Sequence, residues 1–219
     1  MRVLDKKNHA SYTKILAYLL IYIILSLVII YFEFNKRYLI FNCGLSFIPY
    51  ILTSYCANNK NKIVLCTIIT LIAIVFYPNA LYMFTDLTHI KTSDYYTVVH
   101  GVVEYNMDYL TWLKLGAEVS IITMSLILSF ESFINILKTI NCYEHIVAAF
   151  IILVFFSLLT GIALYLGRFL RFNSWDIFKF RKILNYLINN LGRNDYALIG
   201  VFAGIHFIIT LLFANMKKD

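Results

Sequence analysis

The chain has 219 residues, of which 61% are hydrophobic and only 14% charged, with a formal net charge of +7. A soluble domain carries about 25% charged residues, so this composition leaves too much apolar surface for a water-soluble core and points to a polytopic membrane protein. The excess of Lys and Arg lies between and beside apolar runs, where anionic lipid headgroups account for it better than nucleic acid does.

A short basic head containing Arg2, Lys6, Lys7 and Lys14 precedes the first uncharged run, 15–32. That run lacks a small-x-small cleavage site and leads into Glu33-Phe34-Asn35-Lys36-Arg37. It reads as an uncleaved first membrane helix. A second span is predicted over 38–57, with Asn42 near its start and Pro49 at mid-depth, where proline is expected to kink the helix. The polar turn Asn58-Asn59-Lys60-Asn61-Lys62 separates it from a third span, 63–84, interrupted late by Pro78-Asn79. The next stretch, 85–114, is less apolar and is expected to lie partly in the interface as a short helix.

Further spans are predicted over 110–137, 146–166 and 196–214. Between the last two, the apolar residues Ile177, Phe180, Leu184, Leu187 and Leu191 recur at helical spacing, with Lys179, Arg181, Lys182, Asn185 and Asn189 on the other face. This predicts an amphipathic interfacial helix over 176–191, with Ser174 as its N-cap. The expected architecture is thus all-α, a single integral-membrane domain over 1–219 with six spans. Cys43, Cys56, Cys66 and Cys142 sit in or beside apolar runs without metal-binding spacing and read as small buried hydrophobes.

Segments that follow odd-numbered spans emerge on one face of the bilayer. Thr85-Asp86-Leu87-Thr88-His89 follows the third span, and Gly167-Arg168-Phe169-Leu170-Arg171-Phe172-Asn173-Ser174-Trp175-Asp176 follows the fifth. Parity therefore brings the two polar motifs to the same face, with Asn42 entering from it and Glu118 descending from it. Basic residues divide almost evenly between the faces, so charge alone gives little orientation.

Arg168 and Arg171, three apart, would share one face of a helical turn and clamp an anionic group, against the simpler reading of interfacial arginines reaching headgroups. Asp86 and His89 have the same spacing. A carboxylate that orients an imidazole begins general acid–base chemistry, whereas the bland alternative is a helix cap beside an incidental histidine. His100, Glu104 and Asp108, four apart, would form one helical stripe, which is more often a solvated face than a metal site. No metal is expected. His206 lies deep in the sixth span, about 16 Å from its start at 1.5 Å per residue. It follows the small-residue pair Gly200 and Gly204 and reads first as a hydrogen-bonded packing histidine, with proton relay as the alternative. No nucleophile-elbow, zinc-protease or nucleotide-binding motif occurs, and the cofactor is left undetermined by the sequence.

Tyr77-Pro78-Asn79-Ala80, Tyr82 and Thr85 to His89, together with Gly161, Tyr165 and the stretch from Leu166 to Asp176, resemble two signatures of domain-of-unknown-function family 1361. Asn42, Pro49 and Tyr50 resemble a third. Leu81 stands where that signature has proline, and Phe172 where it has tryptophan. The resemblance implies a bacterial cell-membrane protein with the N-terminus inside and the polar site facing outward; it implies no activity. The expected site comprises Asp86, His89, Arg168, Arg171 and Asp176, supported by Asn42, Asn79, Tyr82, Asn173, Ser174 and Trp175. The expected function is a hydrolase or transferase acting on an anionic lipid or lipid-linked envelope substrate, with membrane lipids as partners. The alternatives are a small-solute or proton-coupled transporter, in which Glu118 and His206 extend a polar path, and a non-catalytic membrane partner.

Overall fold

The computed structural model describes residues 2–172 and 179–216. The elements run α1 (Arg2–Tyr31), α2 (Arg37–Asn58), α3 (Ile63–Phe76), α4 (Asn79–Phe84), β1 (Tyr96–Val99), β2 (Val102–Tyr105), α5 (Tyr109–Thr139), α6 (Ile146–Phe169), α7 (Phe180–Asn189) and α8 (Arg193–Met216). Six helical segments are long and apolar enough to cross a membrane, the third of them running from Ile63 through α3 and α4 to His89. The chain is an all-α polytopic membrane protein.

Helix α5 is the axis of the bundle. Of its apolar window 67% is buried, against 11% for α1 and 17% for α8. Its first half joins α1 and α2 in one apolar cluster, through Ala117, Ile121, Ile122, Met124 and Leu128 against Ile29, Leu39, Phe47 and Tyr50. Its second half joins a more aromatic cluster with Tyr77, Leu153 and Phe156, into which Phe207 and Phe213 pack. Apolar side chains facing lipid gain nothing from helix association, so polar ties and close backbone packing must supply specificity. Between α2 and α5, Ser46 and Ser125 share a fully buried 2.6 Å hydrogen bond, and Asn135 donates to Ser54 at 2.9 Å. Between α6 and α8 the close approach is made by Gly161, where an added Cβ would stand 2.5 Å from the Ile199 carbonyl oxygen. Gly200 and Gly204, a small-residue pair whose spacing permits close helix approach, face open space.

Proline acts differently at its two positions. Helix α2 continues through Pro49. Pro78 separates α3 from α4, and the third span ends in a 3-10 turn over Thr85–His89. That turn is tightened by threonines: the Thr85 hydroxyl donates to the Tyr82 carbonyl at 2.6 Å, and the Thr88 hydroxyl to the Thr85 carbonyl at 2.8 Å. Short polar side chains that bond the backbone three residues back favour this tighter winding.

Of the stretch 85–114, expected to hold a short helix, only the 3-10 turns Thr85–His89 and Thr92–Asp94 are helical before α5; between them and α5 lies an antiparallel hairpin, with Val99 opposite Val102 and Tyr96 opposite Tyr105. His100 and Gly101 form its two-residue turn, at φ 50° and 81°. Asp108 caps α5 instead, its carboxylate accepting from the Leu110 amide at 3.2 Å and the Thr111 hydroxyl at 3.0 Å. The His100, Glu104 and Asp108 stripe therefore does not exist. Helix α7 is the predicted amphipathic helix, ending at Asn189; the proposed Ser174 cap lies outside the described residues.

The parity expectation is met on both faces. Lys60 in the α2–α3 turn donates to Asn141, in the α5–α6 turn, at 2.8 Å. On the opposite face, the α1–α2 turn meets the segment that follows the third span.

Candidate functional site

The site is built where α6 ends beside the 3-10 turn. Arg168, in the last turn of α6, forms an ion pair with Asp86, its Nη1 lying 3.0 Å from Asp86 Oδ1. The same Nη1 reaches Tyr82 Oη at 3.4 Å, while Nη2 donates to the Thr85 carbonyl at 2.8 Å and to Thr88 Oγ1 at 3.4 Å. The guanidinium also stacks over the Tyr82 ring, 5.1 Å from its centroid. Only a planar fork of donors satisfies so many acceptors at once, so lysine is no substitute for Arg168. The Asp86 side chain is 3% exposed and that of Arg168 20%. Asn42, entering from α2, approaches the Asp86 carboxylate. Among the described residues, Asp86 Oδ2 accepts no hydrogen bond, and a buried carboxylate oxygen in that state costs stability that a structure ordinarily avoids.

Asp86 thus pairs with Arg168, and the contact made by His89 is with Thr88, whose Oγ1 lies 3.3 Å from His89 Nδ1. The Thr88 hydroxyl proton is already directed at the Thr85 carbonyl. A bond between Thr88 and His89 then has Nδ1–H as donor, which in the neutral imidazole leaves Nε2 free to accept a proton. Asp86 is joined to His89 indirectly, through Arg168 and then Thr88.

His89 is exposed and lines an open basin of about 430 Å³, with Glu33, Phe34, Asn35 and Lys36 from the α1–α2 turn and Lys91, Asp94 and Lys114 beyond the third span. Lys36 is anchored at the base, 3.4 Å from the buried carboxylate of Glu118. Its ammonium also lies over the Tyr38 ring, which itself packs near the His89 ring. Lys114 lies 3.9 Å from Asp94.

The remaining expected residues fall as follows. Helix α6 ends at Phe169, and Arg171 has a left-handed backbone, φ 57°, so it does not share a helical face with Arg168. The Phe172 amide returns to the Leu166 carbonyl at 3.1 Å and closes the helix end. Asn79 opens α4, half-buried. Asn173, Ser174, Trp175 and Asp176 lie outside the described residues. His206 is buried, with Nε2 2.9 Å from Tyr77 Oη and Nδ1 2.9 Å from Ser157 Oγ. Both ring nitrogens are used within the bundle, the arrangement of a packing histidine. Among the described residues no three His, Cys, Asp or Glu side chains converge as a metal site would require.

Thr88 and the basin residues Glu33, Lys36, Lys91 and Lys114 do not stand out in the sequence as site residues. Thr88 carried a signal, because Thr85 and Thr88 repeat at the three-residue spacing of a 3-10 turn. The lysines carried none, since solvated surface lysines look the same.

This bundle, with two motifs joined at one face, defines a class of polytopic helical membrane proteins carrying a one-sided polar site. Residues 41–211 match the family described as "Protein of unknown function (DUF1361)", and the chain belongs to that family. Comparison with curated proteins and with solved structures found no match.

Proposed function

We propose that this protein is a membrane-embedded hydrolase or transferase whose substrate is a phosphate-bearing lipid or lipid-linked envelope molecule. The observation that carries this reading is the connected series Asp86, Arg168, Thr88 and His89, which starts at a buried ion pair and ends at an imidazole in an open basin. In this role His89 Nε2 accepts the proton of an attacking hydroxyl, water in a hydrolase or an alcohol in a transferase, and returns it to the leaving oxygen. Lysine ammoniums at the basin wall offset the charge that develops on the substrate. Arg168 positions the turn and touches no substrate atom. The tie of His206 to Tyr77 and Ser157 weighs against the transport reading, which needed that residue on a polar path.

We propose that this face is the outer one of a bacterial cell membrane, with the N-terminus inside. The test is a lipid profile of the envelope in a deletion strain complemented with the wild type, His89→Ala or Thr88→Val. The wild type should restore a lipid change that His89→Ala does not, and Thr88→Val should restore it only in part. Unchanged lipids in the deletion strain itself would sink the enzymatic reading.

A further inference from the structure

The charges of the basin are unevenly committed. Lys36 is held by Glu118 and Lys114 stands beside Asp94. Two lining charges, Glu33 and Lys91, have no ion-pair partner among the described residues, one negative and one positive. A basin built only for an anion would gain from removing the unpaired carboxylate, because like charge opposes the ligand. Glu33 is held there at a conformational cost: it and Asn35 have left-handed backbones, φ 49° and 53°, in the turn between α1 and α2. Non-glycine residues rarely accept that conformation.

The location narrows the ligand further. The basin adjoins the ends of α1 at Tyr31 and α2 at Arg37, and the end of a span is where the hydrocarbon gives way to headgroups. Tyr31 is 80% exposed there, next to the stacked Phe32 and Phe34 rings, and aromatic side chains mark the membrane–water boundary. Further along α1, Leu27 and Ile30 are exposed, as side chains facing acyl chains would be. The volume falls within the range of small-ligand sites.

We infer that the basin binds a zwitterionic headgroup, a phosphodiester bearing a primary ammonium, with the phosphate toward Lys91 and the ammonium toward Glu33. This rests on the basin being the ligand-binding part of the site proposed above, and it narrows the substrate class from any anionic lipid to an aminated phospholipid or its free headgroup.

The test uses the purified full-length protein in detergent micelles, titrated with short-chain phosphatidylethanolamine, short-chain phosphatidylglycerol and water-soluble glycerophosphoethanolamine, with binding read by native mass spectrometry. Phosphatidylethanolamine should bind about fivefold more tightly than phosphatidylglycerol, a difference of about 1 kcal/mol. Glu33→Lys should reverse that order, and Lys91→Glu should weaken both lipids. Equal or tighter binding of phosphatidylglycerol to the wild type, or an order unchanged by Glu33→Lys, would overturn the proposal. Because Glu33→Lys is expected to gain affinity for one lipid, a misfolded variant cannot imitate the result. Glycerophosphoethanolamine binding as tightly as the lipid would support the free headgroup as ligand, and much weaker binding would support the lipid. Loss of the ethanolamine preference alongside an intact His89→Ala lipid phenotype defeats this inference alone; the converse defeats only the enzymatic reading.

Discussion

Arg168 is the residue on which the site turns. One guanidinium serves a carboxylate, a carbonyl, a hydroxyl and a phenol, and all four come from the segment Tyr82 to Thr88. Removing one partner of a buried ion pair leaves an unpaired charge and costs about 3–5 kcal/mol; the 20% exposure of Arg168 moves the expectation to the low end. Arg168→Met and Asp86→Asn should each destabilise the protein in detergent, and the double variant should lose less than the sum, with a coupling of about 1 kcal/mol or more. Additive losses in an unfolding titration would show that the pair contributes no specific energy. From sequence, the partners were drawn wrongly within a correct neighbourhood. Spacing suggested Asp86 with His89 and Arg168 with Arg171, because both pairs are three apart and α-helical geometry was assumed. The first pair sits in a 3-10 turn where Arg168 claims the carboxylate, and the second is split by the left-handed backbone of Arg171. Neither departure has a sequence signature as strong as a glycine would have supplied.

At the scale of elements, the close contact between α6 and α8 rests on Gly161. Gly161→Ala would place a methyl group 2.5 Å from the Ile199 carbonyl oxygen and 3.0 Å from the Ala203 amide, both backbone atoms that side-chain rotation cannot relieve. The expected cost is about 1–3 kcal/mol through separation of the two helices. Gly200→Ala and Gly204→Ala, facing open space, should leave the unfolding midpoint nearly unchanged. A midpoint lowered by the latter two and not by the first would contradict this packing. The small-residue pattern on α8 was visible in the sequence, yet the pattern could not say which helix supplies the glycine that matters. The hairpin was also legible and was misread. Tyr96-Thr97-Val98-Val99 and Val102-Val103-Glu104-Tyr105 are β-branched and aromatic runs around a His-Gly turn, a stronger signal than three polar residues spaced by four. The four-residue spacing of His100, Glu104 and Asp108 is coincidence: one lies in the turn, one on β2, and one caps α5.

At the scale of the whole molecule, the six spans were legible because length and apolar content decide which segments can cross a bilayer, whatever their partners. Parity then placed both polar motifs on one face before any contact was known. What parity could not supply was the basin, since its walls come from three separate segments: the α1–α2 turn, the stretch after the third span, and the first turns of α5. The one-sided site stands or falls with that topology, and side-specific labelling tests it directly. In a cysteine-free background of the full-length protein, single cysteines at Thr92, Asn194 and Asn141 would be probed in intact cells with a membrane-impermeant maleimide. Thr92→Cys and Asn194→Cys should label from the same side, the outer one, and Asn141→Cys only after the membrane is opened. Labelling of Thr92→Cys and Asn194→Cys from opposite sides would contradict the shared face and separate the two halves of the site.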